Sequence, residues 1–391
     1  MRPLGRFRLR HGRSQASRWL GDPGSLLPST LCGGLSDEFG CGIRRRRTVL
    51  GVTDTTREDG LAAVLPALSD AFGLGAVRDR RFLAHGLMNR NWRLVTAAGV
   101  CALKEITDVP LPKARRNLAV LVDLAREGIP VPAPLVDASG DLVVEVGGHG
   151  YCALPWVDGE HLQGTDLPLD QVRDLGALLG RLHEGLRRHG PGPVPEQAPV
   201  AKVRDVAEAD QAAAALMSRL PTDPVSDFDK AAAEALHGRR GLLARYAGAR
   251  PDGEEPAGPY GWTHGDFQYR NLLRRDGRVV AVLDWDRLGV RPYGEEVART
   301  AQVQFGVGGV FDLDRVAAFC SGYRSVIDLS EGDLADAVKR LWWKRLTDFW
   351  QLEFYLDRQD PTFGEMFLTD EALLIWWTDR ADEVQAAYAA R

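Results

Sequence analysis

Asp266, Asn271 and Asp284 are three potential ligands for a cation in the stretch from residue 261 to residue 287, GWTHGDFQYRNLLRRDGRVVAVLDWDR. Two short apolar runs flank an Asp-Gly pair there, and this arrangement is a strong signal for a β-hairpin. A hairpin would bring Asn271 and Asp284 to the same end, and Asp266 precedes Asn271 by five residues. Carboxylate and amide oxygens suit Mg²⁺, which proteins usually hold with one or two carboxylates plus substrate phosphates. The spacing favours a magnesium site over a surface hairpin with polar residues at its mouth.

The same residues resemble the motif of a known enzyme family. His264-Gly265-Asp266, Asn271 and Asp284-Trp285 match the pattern of the aminoglycoside phosphotransferase and choline kinase-like family, a relative of the protein kinases. In protein kinases the corresponding Asp accepts the proton of the substrate hydroxyl, and the Asn and the later Asp hold Mg²⁺. The resemblance implies that Asp266 is the catalytic base and that Asn271 and Asp284 are metal ligands.

Two further side chains of this stretch are open to interpretation. Asp286 matches the acid of an Asp-Trp-Glu variant of the motif. It is either a contact to a second Mg²⁺ or a structural carboxylate. His264 is expected to brace the loop by hydrogen bonding.

A strand that carries a lysine is predicted well before the motif. Strand signals fall on residues 82–83, 92–95 and 100–104. Lys104 alternates with apolar neighbours, so it faces either solvent or an anion in a cleft. The resemblance to the Val-Ala-Ile-Lys strand of kinases implies the second, with Lys104 on the α- and β-phosphates of ATP.

The turn between the first two strands reads HGLMNRN over residues 85–91. It resembles the nucleotide loop of the family, which implies that Gly86 and Asn89 approach the phosphates. Backbone amides in such a turn can bind phosphate oxygens. A plain hairpin turn fits the pattern equally well.

The helix that follows departs from the family pattern. It is predicted over residues 112–127, and kinases place a Glu on this helix to orient the lysine. The matching position is Asn117. Either another acid, such as Glu105 or Asp123, pairs with Lys104, or the phosphates alone hold it.

The family resemblance also locates the hinge and the supporting residues of the second lobe. A GxPVP linker begins at Gly128, and the hinge follows a predicted hairpin. Adenine is then expected near Leu154 and Trp156. In the helical part that follows, His183 is expected to be structural. Glu295 or Glu296 replaces the family's Asp, with the role of supporting the catalytic loop.

The predicted fold is α+β and bilobal, like that of the protein kinases. It has a small N-lobe with an antiparallel sheet plus a helix, and a larger, mainly helical C-lobe. The N-lobe is assigned to residues 59–157 and the C-lobe, with the catalytic loop and the acceptor site, to residues 158–391. Residues 1–52 are expected to be a disordered basic extension, and translation could instead start near Val52.

Composition narrows the class of protein. No apolar run is long enough for a membrane-spanning helix, and the five cysteines are scattered, which is typical of a reducing, cytoplasmic compartment. Residues 1–50 carry a net charge of +7, so the remainder carries −12 of the total of −5. An acidic body argues against broad nucleic-acid binding.

The sequence therefore predicts an ATP- and Mg²⁺-dependent phosphotransferase that acts on a hydroxyl of a small molecule. The alternative is a nucleotide-binding pseudokinase, whose support is the missing Glu at Asn117. Aminoglycosides, other antibiotics, choline-like amino alcohols, homoserine and sugars all remain open as acceptors.

Overall fold

The computed structural model describes residues 55–83, 89–221, 226–358 and 360–390. Residues 1–54, which include the predicted basic extension, and Gly86 lie outside this part of the chain. Within it, no helix is long and apolar enough to cross a membrane.

The N-terminal lobe is an antiparallel sheet with a helix on each face. Its elements are α1 (Thr55–Ala71), β1 (Val77–Leu83), β2 (Arg90–Thr96), β3 (Val100–Ile106), α2 (Leu111–Arg126), β4 (Val144–Val146) and β5 (His149–Pro155). The strand order is β1-β2-β3-β5-β4, and every neighbouring pair is antiparallel. The predicted lobe architecture is therefore observed.

Alternation along β3 decides where its lysine points. Cys101 and Leu103 are buried against α1, in a cluster that includes Leu61 and Leu68. Because neighbouring side chains of a strand point to opposite faces, Lys104 lies on the other face of the sheet. That face borders the cleft between the lobes.

The C-terminal lobe is mainly helical. Its elements are α3 (Leu169–His189), α4 (Val206–Arg219), α5 (Asp227–Arg245), β6 (Tyr260–Thr263), β7 (Leu272–Arg275), β8 (Arg278–Val282), β9 (Gly289–Pro292), α6 (Tyr293–Phe305), β10 (Gly306–Val307), β11 (Val310–Phe311), α7 (Leu313–Arg324), α8 (Glu331–Thr347), α9 (Trp350–Arg358), α10 (Pro361–Asp379) and α11 (Ala381–Tyr388). The strands form three two-stranded sheets, which pair β6 with β9, β7 with β8 and β10 with β11.

Two glycines allow α3 and α7 to pack closely. A Cβ atom on Gly176 would overlap the carbonyl oxygen of Phe319, and one on Gly322 would overlap that of Arg173. The close approach places two polar side chains of these helices, His183 and Tyr323, in contact at the centre of the lobe.

The hairpin predicted from the Asp-Gly pair is present as β7 and β8. Asp276 and Gly277 both have positive φ, at 52° and 75°, as a two-residue type I′ turn requires. Leu272 pairs with Val282 at the open end. One residue further out, the amide of Leu283 donates to the carbonyl of Asn271 over 2.7 Å. This register brings Asn271 and Asp284 together, as predicted.

Candidate active site

A cleft of about 620 Å³ lies between the two lobes. Its lining includes every predicted site residue that the structure describes, namely Asn89, Lys104, Leu154, Trp156, Asp266, Asn271 and Asp284. The structure therefore brings these residues of both lobes to one cleft, and Gly86 falls outside the described residues.

Asp266 is held by three side chains. Its Oδ2 accepts hydrogen bonds from Gln268 over 2.8 Å and from the Asn271 amide over 2.9 Å. Its Oδ1 pairs with the Arg299 guanidinium over 2.7 Å. Burial opposes the charged form, but Arg299 and the amide donors outweigh it and lower the pKa of Asp266 below its ordinary value. The carboxylate is therefore ionised at neutral pH.

Arg299 is the residue of this site that sequence reasoning missed. It lies on α6, three residues after Glu296 and therefore on the same side of the helix. Its guanidinium also donates to the carbonyl of Gly265 over 3.4 Å. The spacing of the two charged residues was the available signal.

Glu296 anchors the backbone of the catalytic loop. Its carboxylate accepts hydrogen bonds from the amide of His264, over 3.1 Å, and from that of Gly265. Burial would raise the pKa of Glu296, but His183, which donates over 2.7 Å, and the loop donors lower it. Of the two acids considered from sequence, Glu296 therefore has the supporting role.

A buried hydrogen-bonded chain extends this support. The hydroxyl of Tyr323 lies 2.8 Å from Nδ1 of His183, whose Nε2 faces Glu296. Burial raises the pKa of Tyr323, so its hydroxyl keeps the proton and donates to the imidazole. The loop is thereby fixed to α3, α6 and α7. His183 is structural, as expected.

His264 connects the catalytic loop to the hairpin. The amide of Asp266 donates to its Nδ1 over 3.2 Å, and its Nε2 donates to the carbonyl of Leu283 over 3.0 Å. Burial lowers the pKa of His264, which is consistent with a neutral imidazole that has its proton on Nε2. The predicted bracing role fits these contacts.

Backbone conformation is special at two positions of the site. Gly265 has φ of +83°, and a Cβ atom there would overlap the carbonyl oxygen of Arg287. Asp284 has φ of 61°, an uncommon conformation for a residue with a side chain. Such conformations concentrate at functional sites, where the surrounding structure holds them.

Lys104 pairs with Asp286 and not with an acid of α2. Its Nζ lies 2.8 Å from Oδ2 of Asp286 and 3.7 Å from Oδ1 of Asp284. Burial alone would lower the pKa of Lys104, but the two carboxylates outweigh it and raise the pKa. Asp286 is therefore the acid that the sequence left unassigned.

The two acids named as candidates from sequence pair elsewhere. Glu105 is buried on the opposite side of β3, where it faces His149 over 2.9 Å. Asp123 pairs with Arg126 on the surface of α2. Neither of them is the partner of Lys104.

Two asparagines hold the segment that contains Asp286. The Asn89 amide donates to Oδ2 of Asp286 over 2.7 Å, and its oxygen accepts from the amide of Thr107 over 2.9 Å. The Asn117 amide donates to the carbonyl of Trp285 over 2.8 Å. The α2 residue at the expected Glu position thus positions the backbone next to Asp286.

Asn271 and Asp284 offer a cation two oxygen ligands. The nitrogen of the Asn271 amide is used on Asp266, which leaves the amide oxygen as its acceptor. Burial raises the pKa of Asp284, and Lys104 counteracts this only from 3.7 Å. A cation would compensate such a buried carboxylate. The described residues contain no group of three or more His, Cys, Asp or Glu suited to a metal, so phosphates and water would complete the shell.

The hinge side of the cleft is largely apolar. Leu154 pairs with Ala102 one residue before β5 ends, and the amide of Trp156 donates to the carbonyl of Val100 over 3.1 Å. The side chains of Leu273 and Leu283 line the cleft from the C-terminal lobe. These surfaces form a slot between the lobes that suits a flat ring.

The comparisons with known proteins agree with this geometry. Residues 79–329 match the phosphotransferase enzyme family, and the chain belongs to that family. It is 24% identical over 340 residues to a homoserine kinase of Methylobacillus glycogenes, which covers 79% of this chain and 94% of that protein.

Two solved structures show the fold. An amicoumacin kinase in complex with AMP-PNP, Ca²⁺ and Ami matches with a TM-score of 0.54 and 15% identity, covering 83% of this chain and 95% of that one. A microcompartment-associated aminopropanol kinase matches with a TM-score of 0.54 and 17% identity, covering 83% and 99%. The kinase-like fold, the family resemblance and the small-molecule phosphotransferase class predicted from sequence are confirmed.

Proposed function

We propose that this phosphotransferase moves the γ-phosphoryl group of ATP to a hydroxyl of a small molecule, with Mg²⁺ held by Asn271 and Asp284. The observation that carries the proposal is the convergence of Lys104, Asp266 and these two residues on one cleft. Positioning and charge stabilisation supply most of the catalysis in phosphoryl transfer, so the placement of these groups matters most.

Asp266 is the proposed catalytic base. It is ionised, and its Oδ1, which accepts only from Arg299 among the described residues, still has capacity for a second hydrogen bond. It would accept a hydrogen bond from the acceptor hydroxyl, orient its oxygen towards the γ-phosphorus, and take the proton as the new O–P bond forms. Arg299 and Gln268 keep the carboxylate in place.

Lys104 and the metal ligands form the phosphate side of the site. Lys104 would donate to the α- and β-phosphates while Asp286 orients its ammonium. When bound at Asn271 and Asp284, Mg²⁺ would neutralise charge on the β- and γ-oxygens. Leu154 and Trp156 would contact the adenine from the hinge.

The observation that supported the pseudokinase alternative has another explanation in the structure. It rested on the absence of a Glu at position 117, which would leave Lys104 without an acid. Asp286 supplies that acid at 2.8 Å, with Asn89 as a second support. Nothing in the described geometry favours a binding-only role.

The test is ADP formation with Mg²⁺-ATP and a panel of aminoglycosides, amino alcohols, homoserine and sugars. At least one acceptor should stimulate ADP formation, and Asp266→Asn should lower kcat by roughly 10²- to 10⁴-fold, the usual contribution of a general base. Asp276→Asn, at the exposed tip of the same hairpin, is the matched control and should be active. Undiminished activity of Asp266→Asn would refute the assignment.

A further inference from the structure

A stripe of polar residues on α6 leads away from the catalytic base. Glu296, Arg299 and Gln302 are spaced three residues apart, so each lies beside the next on the surface of the helix. Glu296 holds the catalytic loop and Arg299 holds Asp266. The next member, Gln302, accepts a hydrogen bond from Nε of Arg345 over 3.0 Å.

The third contact places Arg345 near the reacting groups. Three residues of an α-helix rise about 4.5 Å, so Gln302 is about one turn beyond Arg299. Arg345 of α8 therefore lies next to Arg299, and the two guanidiniums repel each other electrostatically. The guanidinium of Arg299 thus contacts Asp266, and that of Arg345 lies about one helical turn further along α6.

The guanidinium of Arg345 has hydrogen-bond donors that no described side chain uses. In the part of the chain that the structure describes, its only side-chain hydrogen bond is the one to Gln302. Its Nη1 lies 3.8 Å from Oδ2 of Asp370, which is beyond hydrogen-bond distance. Its side chain is 19% exposed and that of Asp370 is 33% exposed, so both can be reached from solvent.

Arg239, which lies near Arg345, is an example of an arginine with a purely structural role. Arg239 is buried and donates to the carbonyls of Arg345, Leu346 and Asp348 as well as to Glu371. Its donors are used within the protein. Arg345, in contrast, has unused donors. Keeping such a charged group partly buried costs free energy unless a ligand completes its hydrogen bonds.

Asp370 is the complementary acid. Gln351 donates to its Oδ2, which leaves Oδ1 for another partner. Burial raises the pKa of Asp370, a sign that its present neighbours do not fully compensate its charge. A free ammonium group would do so.

We infer that Arg345 and Asp370 form an acceptor subsite for a small zwitterion, a hydroxy-α-amino acid, whose carboxylate binds Arg345, whose ammonium faces Asp370 and whose hydroxyl reaches Asp266. This inference rests on the proposed function. A hydroxyl and a carboxylate separated by about four bonds span roughly 5 Å. This is similar to the helical rise between Arg299, which holds Asp266, and Gln302, which contacts Arg345. Polycationic acceptors would meet two arginines, and a choline-like alcohol has no anion for Arg345.

The first measurement compares matched acceptors by ADP formation. L-homoserine carries both groups, 3-amino-1-propanol lacks the carboxylate, and 4-hydroxybutyrate lacks the ammonium. kcat/KM should be highest for L-homoserine, by about 10- to 100-fold over 3-amino-1-propanol, the effect of one charge-assisted hydrogen-bonded contact. Equal or better use of 3-amino-1-propanol overturns the inference and leaves the proposed function intact. No ADP with any acceptor of the wider panel overturns both.

The second measurement uses a variant that lacks the positive charge of Arg345. Arg345→Gln should lower kcat/KM for L-homoserine by about 10- to 100-fold, raise its KM and leave the KM for ATP unchanged, and the loss with 3-amino-1-propanol should be much smaller. Arg345→Lys should restore part of the loss, which separates recognition from misfolding. Lys344→Gln removes one positive charge from the exposed neighbouring position and should have no effect. An equal loss with every acceptor would overturn the subsite.

Discussion

Nζ of Lys104 lies 2.8 Å from Oδ2 of Asp286, although the α2 residue that would pair with this lysine in a protein kinase is Asn117. The same geometry gives Asn117 a different task, because its amide holds the carbonyl of Trp285 beside Asp286. The lysine is thus oriented from the Asp-Trp-Asp segment, and α2 positions that segment.

Loss of the Asp286 carboxylate should impair nucleotide use. We expect Asp286→Asn to lower kcat/KM for ATP by about 10- to 100-fold, because Lys104 loses a hydrogen bond between charged groups. Steady-state kinetics with varied ATP measure this. Combining it with Lys104→Met should cost little more than Lys104→Met alone, since the two residues act as one unit. Full additivity of the two losses would contradict the pairing.

Loss of the Asn117 amide should lower the free energy of unfolding. Asn117→Leu leaves the buried carbonyl of Trp285 without its donor, so we expect a decrease of about 1–3 kcal/mol in the free energy of unfolding. Urea unfolding measures the change. Arg126→Gln, at the exposed end of the same helix, should stay within about 0.5 kcal/mol of the wild type. A neutral Asn117→Leu would show that the contact does not matter.

Arg299 should set the acid limb of the pH profile. The pKa of Asp266 is lowered mainly because Arg299 outweighs burial, so the wild-type base stays ionised down to pH values below the ordinary carboxyl range. In Arg299→Gln burial remains and the cation is gone, so the pKa of Asp266 should rise. The acid limb of kcat/KM should then move to higher pH, whereas Arg380→Gln should leave it in place. An unmoved limb in Arg299→Gln would contradict this electrostatic role.

His264 should make the fold sensitive to mild acid. Burial lowers its pKa in the folded state, so the unfolded chain binds the proton more readily. Its contribution to stability is present above the ordinary histidine pKa of about 6.5 and is lost as pH falls through the lower folded value. We expect the pH dependence of the urea midpoint in this range to be weaker in His264→Gln. The exposed His237→Gln should retain the wild-type dependence. An unchanged slope in His264→Gln would assign the effect to other groups.

Local signals explain what the sequence could predict. The Asp-Gly turn specifies a hairpin through the positive φ that its two residues need, and the hairpin register then fixes Asn271 against Asp284. The alternation of β3 decides the face of Lys104. Each inference depends on neighbours in sequence, and each agrees with the structure.

The contacts that the sequence did not predict depend on packing between segments that are distant along the chain. Lys104 and Asp286 are 182 residues apart, and their pairing follows from how the β3 face meets the end of the hairpin. Arg299 reaches Asp266 because Glu296 first fixes the loop against α6. Helical spacing could have grouped Glu296 with Arg299, but only the tertiary contact shows which loop they hold.

Phosphorus NMR of the reaction mixture tests the central claim most directly. With Mg²⁺-ATP and a productive hydroxyl acceptor, the wild-type protein should produce ADP together with an equal amount of a new phosphomonoester, and Asp266→Asn should produce neither at a comparable rate. ADP with inorganic phosphate and no ester, or an undiminished ester signal from Asp266→Asn, would contradict phosphoryl transfer to a hydroxyl activated by Asp266.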